Sequence, residues 1–329
     1  MPLVTVLLPN YNNEKFLKEC LDSLYNQSFQ DFVIYFVDDC STDQSVAIAK
    51  SYPTEKIEIT LKESNTGIVD TLNVGLAKIK SKYFIRMDGD DISHPDRFKI
   101  LVDFMETNQE FGVCSSAIET FGVKKEVWKY QSNPEVNKAN LIFGHSVGHA
   151  SSIFRTDVLT KNKIVYLNRF WRMEDYDLFY RLKDITLTTA IADVLYYYRQ
   201  DDYNYNPELF ARMSLEYKKF YEMVLKDLLD NMSEREIEIH LELAGKKVAT
   251  KKLEFYQRHI SKILDSNNTK NIYPQVELKA VLEEKLVKIV YVLIDSKKLK
   301  LSELGQFSFK NKFKFGRYFL GRIKKRFYS

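Results

Sequence analysis

Tyr83-Phe84-Ile85-Arg86-Met87-Asp88-Gly89-Asp90-Asp91 is a run of bulky, mostly apolar residues that ends in an acidic turn. A short apolar run closed by Gly and Asp reads as a buried strand, Tyr83–Met87, with its acids at the carboxyl end. The same figure recurs toward the N-terminus. Phe32–Val37 runs into Asp38-Asp39, Ile57–Leu61 is a third strand, and Leu3–Leu8 stops at Pro9. Between these runs the period changes to that of a helix. Phe16, Leu17, Cys20, Leu21 and Leu24 follow Asn12 or Asn13 as cap, and Val46, Ile48 and Ala49 follow Ser41 or Asp43. Val69–Ile79 makes a third helix. Strand and helix in alternation argue for βαβ units and a mostly parallel sheet with right-handed crossovers. Such a sheet binds ligands outside the carboxyl ends of its strands, and both acidic clusters fall there.

Downstream, a helix follows Pro95, a strand lies around Val113–Phe121, and a second acidic pair stands at Glu174-Asp175. After Tyr205 the chain becomes rich in Lys, Glu and Leu at helical spacing. The expected organisation is therefore an α/β domain over 1–205, a helical region over 206–308, and a basic tail over 309–329. A chain of 329 residues accommodates this. Its composition, 45% apolar and 29% charged, is that of a globular protein, and a net charge of +4 does not by itself point to nucleic acid. Cys20, Cys40 and Cys114 have no metal-type spacing and read as reduced thiols. The opening residues lack a basic leader, and the run Ile289–Ile294 is far too short to span a bilayer. The expected location is the cytoplasm.

Asp38-Asp39 and Asp88-Gly89-Asp90 repel each other across one crevice unless something positive or hydrogen-bond-donating lies between them. A bare phosphate would worsen the conflict. A diphosphate chelated to a hard divalent cation resolves it, because such a cation takes carboxylate and phosphate oxygens together. The remaining carboxylate can accept a base N–H or a ribose hydroxyl. Singly, each cluster reads as a turn or a cap; together at strand ends they describe a site for a nucleotide sugar.

Further segments carry a resemblance. Val4-Thr5-Val6-Leu7-Leu8-Pro9-Asn10-Tyr11-Asn12, Asn26-Gln27-Ser28-Phe29 and Val37-Asp38-Asp39-Cys40-Ser41-Thr42-Asp43 follow one another in order. Asn65-Thr66-Gly67, Asn73-Val74-Gly75, the stretch Arg86–Asp91 and Pro95-Asp96-Arg97 continue the series. Over about residues 2–200 the chain resembles the inverting family-two glycosyltransferases of GT-A fold. The resemblance implies a UDP-sugar donor, Mn2+ or Mg2+, and a growing glycan or lipid-linked oligosaccharide as acceptor. It implies that Pro9 and Tyr11 line the nucleoside pocket and that Asp39 accepts the uracil N–H. Asn65 and Asn73 would contact the donor, and Arg86 would lie near the sugar or diphosphate. Asp88 would approach the ribose or the metal, Asp90 would ligate the metal, and Asp91 would cap the turn that follows.

Trp171-Arg172-Met173-Glu174-Asp175-Tyr176-Asp177-Leu178 resembles the family's Glu-Asp motif. Inverting transfer needs a base for the acceptor hydroxyl, and the resemblance points to Asp175, with Glu174 second. The other reading is that both acids complement a helix N-terminus. His149 matches a position near donor or acceptor. Many relatives carry Tyr-Arg-x-His after this helix; here Tyr198-Arg199-Gln200-Asp201 stands instead. Asp201 would then be a metal ligand or a plain loop residue, and Arg199 would neutralise departing diphosphate. In the tail, Phe309, Phe313, Leu320, Ile323 and Phe327 share one helical face opposite Lys310, Lys314, Arg322 and Lys325. That pattern suits the anionic inner face of a cell membrane, or docking on the helical region. The helical region also offers a surface for a homodimer. Nucleic acid is not expected, since the basic residues sit at one end without a recognition motif. Two rivals stand beside the transferase: a nucleotidyltransferase, which would show a Gly-rich basic loop where Pro9-Asn10-Tyr11-Asn12-Asn13 stands, and a non-catalytic nucleotide- or glycan-binding protein.

Overall fold

The computed structural model describes residues 1–144, 146–200, 207–245, 248 and 252–296. The chain forms two compact units. One comprises Met1–Asn137 with His145–Ala211; the other comprises Lys138–Gly144 with the chain from Arg212.

The first unit opens as β1 (Val4–Asn10), α1 (Glu14–Tyr25), β2 (Phe32–Asp38), α2 (Ser45–Lys50), β3 (Ile57–Leu61), α3 (Ile68–Leu76) and β4 (Tyr83–Arg86). It continues with β5 (Ile92–Ser93), α4 (Arg97–Thr107), β6 (Phe111–Gly122), β7 (Val127–Trp128) and the start of α5 (Pro134–Asn140), whose residues from Lys138 group with the second unit. Then come β8 (Ile153–Arg155), α6 (Thr156–Lys161), α7 (Glu174–Leu182) and β9 (Leu187–Gln200). The strands make one sheet in the order β3-β2-β1-β4-β8-β6-β9-β5, with β7 paired to β6. β3, β2, β1 and β4 are parallel, as alternating strand and helix require. Beyond β4 the sheet turns mixed: β8 is antiparallel to β4 and β6, β9 is parallel to β6, and β5 is antiparallel to β9.

Every residue of β1 is buried, because helices cover both faces of the parallel half. Leu17, Cys20, Leu21 and Leu24 of α1 pack with Val6, Leu8, Phe36 and Phe98 in the main core. Truncating such a residue, Phe36→Ala for example, costs about 3–5 kcal/mol. Neither α1 nor α2 is capped by its own N-cap side chain. Asp43 serves both helices: Glu14 N donates to its Oδ2 and Ser45 N to its Oδ1, each at 2.9 Å. Glu14 returns the bond by accepting from Gln44 N at 2.8 Å. The ends of β1 and β2 are thereby clasped together, which locates the turns that follow them.

The second unit is helical, with α8 (Pro207–Leu228), α9 (Glu234–Leu243), α10 (Leu253–Lys270) and α11 (Gln275–Asp295). Ser233 and Glu236 close a capping box on α9. Residues 138–144, which the sequence places in the α/β domain, group with these helices. His240 Nε2 reaches Ile142 O at 2.8 Å, and Tyr221 Oη donates to Phe143 O at 2.7 Å. No helix among the described residues is long and apolar enough to cross a membrane. Asp201 and the tail 309–329 lie outside the described residues.

Candidate active site

β1, β2 and β4 all stop at one edge of the sheet, and a cavity of about 710 Å³ opens there. Pro9 and Tyr11 line it from the end of β1, Asp39 from the end of β2, and Asp88, Gly89 and Asp90 from the turn after β4. Asn65, Thr66 and Gly67 enter from the loop before α3, and Asn168, Trp171, Arg172 and Glu174 from the approach to α7. The sequence marks Asn13 only as a helix cap and does not mark Asn10, Asn168, Trp171 or Arg172 as site residues. At Gly89 the side-chain amides of Asn13 and Asn10 come close to the backbone. A Cβ there would meet Asn13 Nδ2 at 2.9 Å and Asn10 Oδ1 at 3.2 Å.

Asp39 is buried at the cavity wall. It accepts Thr66 N–H at 3.0 Å and Gly67 N–H at 2.8 Å, and Lys62 Nζ lies 2.7 Å away. Burial opposes its charge, but Lys62 and the two amides outweigh that and hold its carboxyl below the usual range. Lys62 also pairs with Asp70 at 2.7 Å. Asp39 is thus both a pocket carboxylate and the pin of the loop 65–67. Its neighbour Asp38 faces inward to Asn10 Nδ2 at 2.8 Å and Ser41 Oγ at 2.6 Å.

The acidic turn is held from beneath. Arg97 is wholly buried and donates to Arg86 O and Ala150 O, both at 2.8 Å, with its guanidinium over Tyr196 at 4.8 Å. Tyr196 Oη donates to Asp91 at 2.6 Å, and Asp91 also accepts Arg199 N–H at 2.7 Å. Asp91 therefore ties β9 to the turn. Arg86 is buried and bonds Asp88 at 2.5 Å. Asp90 makes no ion pair among the described residues: burial, and then the charge of Asp88, raises its pKa to about 6 against the weaker pull of Arg86 and Arg199. A pair of cavity carboxylates, one of them disfavoured as an anion, has the chemistry of a hard-cation site. Among the described residues no group of three or more His, Cys, Asp or Glu gathers around an ion. The protein thus offers Asp88 and Asp90, and phosphate or water oxygens would complete the coordination.

Glu174 and Asp175 open α7. Glu174 lines the cavity, and its Oε2 is buried with no hydrogen-bond partner. Burial and the charge of Asp175 raise its pKa to about 7. Asp175 turns back to accept Tyr176 N–H at 2.8 Å, and burial raises its pKa to about 6. It is not among the cavity-lining residues.

Four further residues singled out in the sequence stand behind the wall rather than on it. Asn73 spends its side chain on the backbone of Tyr166, donating to its O and accepting from its N, both at 2.9 Å. His149 Nε2 meets Tyr166 Oη at 2.9 Å inside a box of Phe154, Tyr166 and Phe179. Arg199 donates to Asp90 O at 2.8 Å, bonds Glu19, and is sandwiched between Phe16 and Phe121 at 4.3 and 4.4 Å. Arg86 reaches the cavity only through Asp88.

The chain is 26% identical over 214 residues to an uncharacterized glycosyltransferase of Haemophilus influenzae, a match covering 60% of this chain and 65% of that protein. It is 27% identical over 203 residues to the poly(ribitol-phosphate) beta-N-acetylglucosaminyltransferase TarS of Staphylococcus aureus, covering 59% of this chain and 35% of TarS. Among solved structures it is similar to S. aureus TarS 1–349 in complex with UDP-GlcNAc, with a TM-score of 0.58 and 19% identity over 88% of this chain and 86% of that one. It is also similar to the mannosyltransferase PcManGT from Pyrobaculum calidifontis in complex with GDP-Man and Mn2+. There the TM-score is 0.53 and the identity 13%, over 88% of each chain. These likenesses place the fold among GT-A structures. Residues 5–174 match glycosyl transferase family 2, and with that match over more than half its length the chain belongs to this family.

Proposed function

We propose that the protein is an inverting glycosyltransferase that moves a hexose or N-acetylhexosamine from a UDP-sugar to a hydroxyl of a growing glycan or lipid-linked oligosaccharide. The observation that carries this is one cavity in which Asp39, Asp88, Asp90 and Glu174 meet at the carboxyl ends of parallel strands. The TarS complexes with UDP-GlcNAc and with UDP support a uridine donor.

The uracil lies between Pro9, Tyr11 and the loop that Asp39 pins, with Asp39 accepting its N–H. Asn65 borders the same end of the cavity. Asp88 and Asp90 would hold Mn2+ or Mg2+, which when bound supplies positive charge to the leaving diphosphate. The Mn2+ in the PcManGT complex supports that choice of ion. Arg199 acts from outside, fixing the carbonyl of Asp90 so that its carboxylate faces the cavity. At the other end the Glu174–Asp175 pair takes the acceptor proton as the hydroxyl attacks the anomeric carbon from the face opposite the nucleotide. Asp175 is the base and Glu174 borders the acceptor. Their raised pKa values suit proton uptake near neutrality.

A panel of UDP-sugars with Mn2+ or Mg2+, read as UDP release and repeated in chelator, tests the reading. NMR of the product tests the stereochemistry. Absence of UDP release with every donor and acceptor mixture would leave only a binding protein. Retention of configuration would end the inverting mechanism.

The basic tail serves as a membrane foot at the inner face of the membrane. Each Lys or Arg near an anionic surface contributes about 1 kcal/mol, weakened by salt. A chain ending at Gly305 should keep its melting temperature and lose flotation with anionic vesicles. A lower melting temperature, with full-length protein that ignores vesicles, would assign the tail to docking on the protein.

A further inference from the structure

Among the described residues Arg172 is the one cation lining the cavity, which otherwise carries Asp39, Asp88, Asp90 and Glu174. Its backbone is left-handed at φ 56°, a conformation that favours glycine, yet a large charged residue stands there. Its guanidinium lies 5.1 Å over the ring of Trp171, also a lining residue. Arg172 is exposed and makes no ion pair among the described residues. Two residues on, Glu174 keeps a buried oxygen without a hydrogen-bond partner. Asp39 follows β2 and the acidic turn follows β4, whereas Arg172 and Glu174 come from the approach to α7.

We propose that Arg172 and Glu174 form an acceptor subsite for an anionic sugar or polyol, one that bears a phosphate or a carboxylate. The inference rests on the donor reading above and names the substrate class of the same site. Each group asks for a different part of one molecule. The carboxyl, unpartnered among the described residues, asks for a hydroxyl donor, and the guanidinium, without an ion pair there, asks for an anion. A neutral glycan would satisfy Glu174 and leave Arg172 facing water. The donor diphosphate does not need Arg172, since Asp88 and Asp90 already provide its cation site.

Trp128→Phe leaves Trp171 as the only tryptophan, because the chain has 2. Its fluorescence can then follow binding of glucose 6-phosphate, glucuronate and glucose to protein saturated with UDP and Mg2+. At least one anionic sugar should bind ten-fold or more tightly than glucose, and the better of the two separates phosphate from carboxylate. Arg172→Gln should abolish that preference, Arg172→Lys should restore part of it, and UDP affinity should stay unchanged in both. Equal affinities, a preference that survives Arg172→Gln, or no saturable binding of either anionic sugar would overturn the proposal. So would displacement of UDP by the anionic sugar, or a ten-fold loss of UDP affinity in Arg172→Gln, either of which assigns the guanidinium to the donor. If UDP fails to bind the unaltered protein, the donor reading falls. The anion preference is then judged in the titration without nucleotide.

Discussion

Replacing Asp39 with Asn keeps the shape of the side chain and removes its charge, which separates the two duties the structure gives this residue. In the folded chain its carboxylate accepts two backbone N–H groups and faces Lys62, all between 2.7 and 3.0 Å. Hydrogen bonds to an ionised group contribute about 1.5–3 kcal/mol, roughly twice the neutral kind. An amide presents one acceptor oxygen and turns its NH2 toward a donor, so the three contacts lose about 2–3 kcal/mol in total. Lys62 keeps Asp70, which holds the loss below that of a fully orphaned buried cation. For a domain of 150–250 residues about 1 kcal/mol moves Tm by about 2–4 °C, so Asp39→Asn should melt roughly 4–12 °C lower at pH 7. The pH dependence gives a second reading. The pKa of Asp39 is lowered by folding, so its stabilisation is present above the usual value of 3.8 and is lost as pH falls through the folded value. The gap between the two proteins should therefore close in acid. Differential scanning calorimetry of the full chain, with UDP titration alongside, makes the comparison. A variant that melts within about 2 °C of the unaltered protein at pH 7 would refute the loop-pinning argument. A gap that stays constant down to pH 3 would show that the charge of Asp39 is not what stabilises the loop.

Asp90→Asn should abolish metal-dependent turnover and raise the melting temperature in chelator at pH 8. The pKa of Asp90 is raised to about 6, so its anion destabilises the metal-free fold above that pH; a lower melting temperature would contradict this. Asp175→Asn should bind UDP-sugar normally and lose transfer by about 10²-fold or more. Turnover of the unaltered protein should fall on the acid side with an apparent midpoint between about 6 and 7 that belongs to the Glu174–Asp175 pair. Near-normal transfer by Asp175→Asn would remove it as base. In the helical unit His240 and His259 are buried 3.3 Å apart, and burial lowers their pKa values to about 3 and about 4. Neutral imidazoles stabilise the fold, so that contribution is present above pH 6.5 and lost progressively as pH falls toward 4. His259→Gln keeps a donor for His240 and removes one titrating group, so helical circular dichroism should persist to lower pH; an unchanged acid transition would contradict the assignment.

How far a sequence shows its site depends on whether the relevant contact is local. The acids at the ends of β2 and β4 are legible because a strand's period and its closing turn lie within a few residues. The strand β9 is not, although Leu187–Gln200 is rich in residues suited to a sheet. Its partner β6 lies some seventy residues earlier, and a parallel pairing leaves no hairpin signal. The placement of Arg199 follows from that missing strand: Asp91 and Asp90, more than a hundred residues away, take its N–H and its side chain. Asn73 is similar, since its amide serves the backbone of Tyr166 across 93 residues. Resemblance assigned these two to the donor because their order in the chain matches, and order does not report which way a side chain points. Arg172 shows the converse. Nothing in Trp171-Arg172-Met173 marks it, because what singles it out is a backbone angle, the lack of an ion pair among the described residues and three acids contributed by other segments. A charge that makes no ion pair among the described residues is visible only once their side chains are placed.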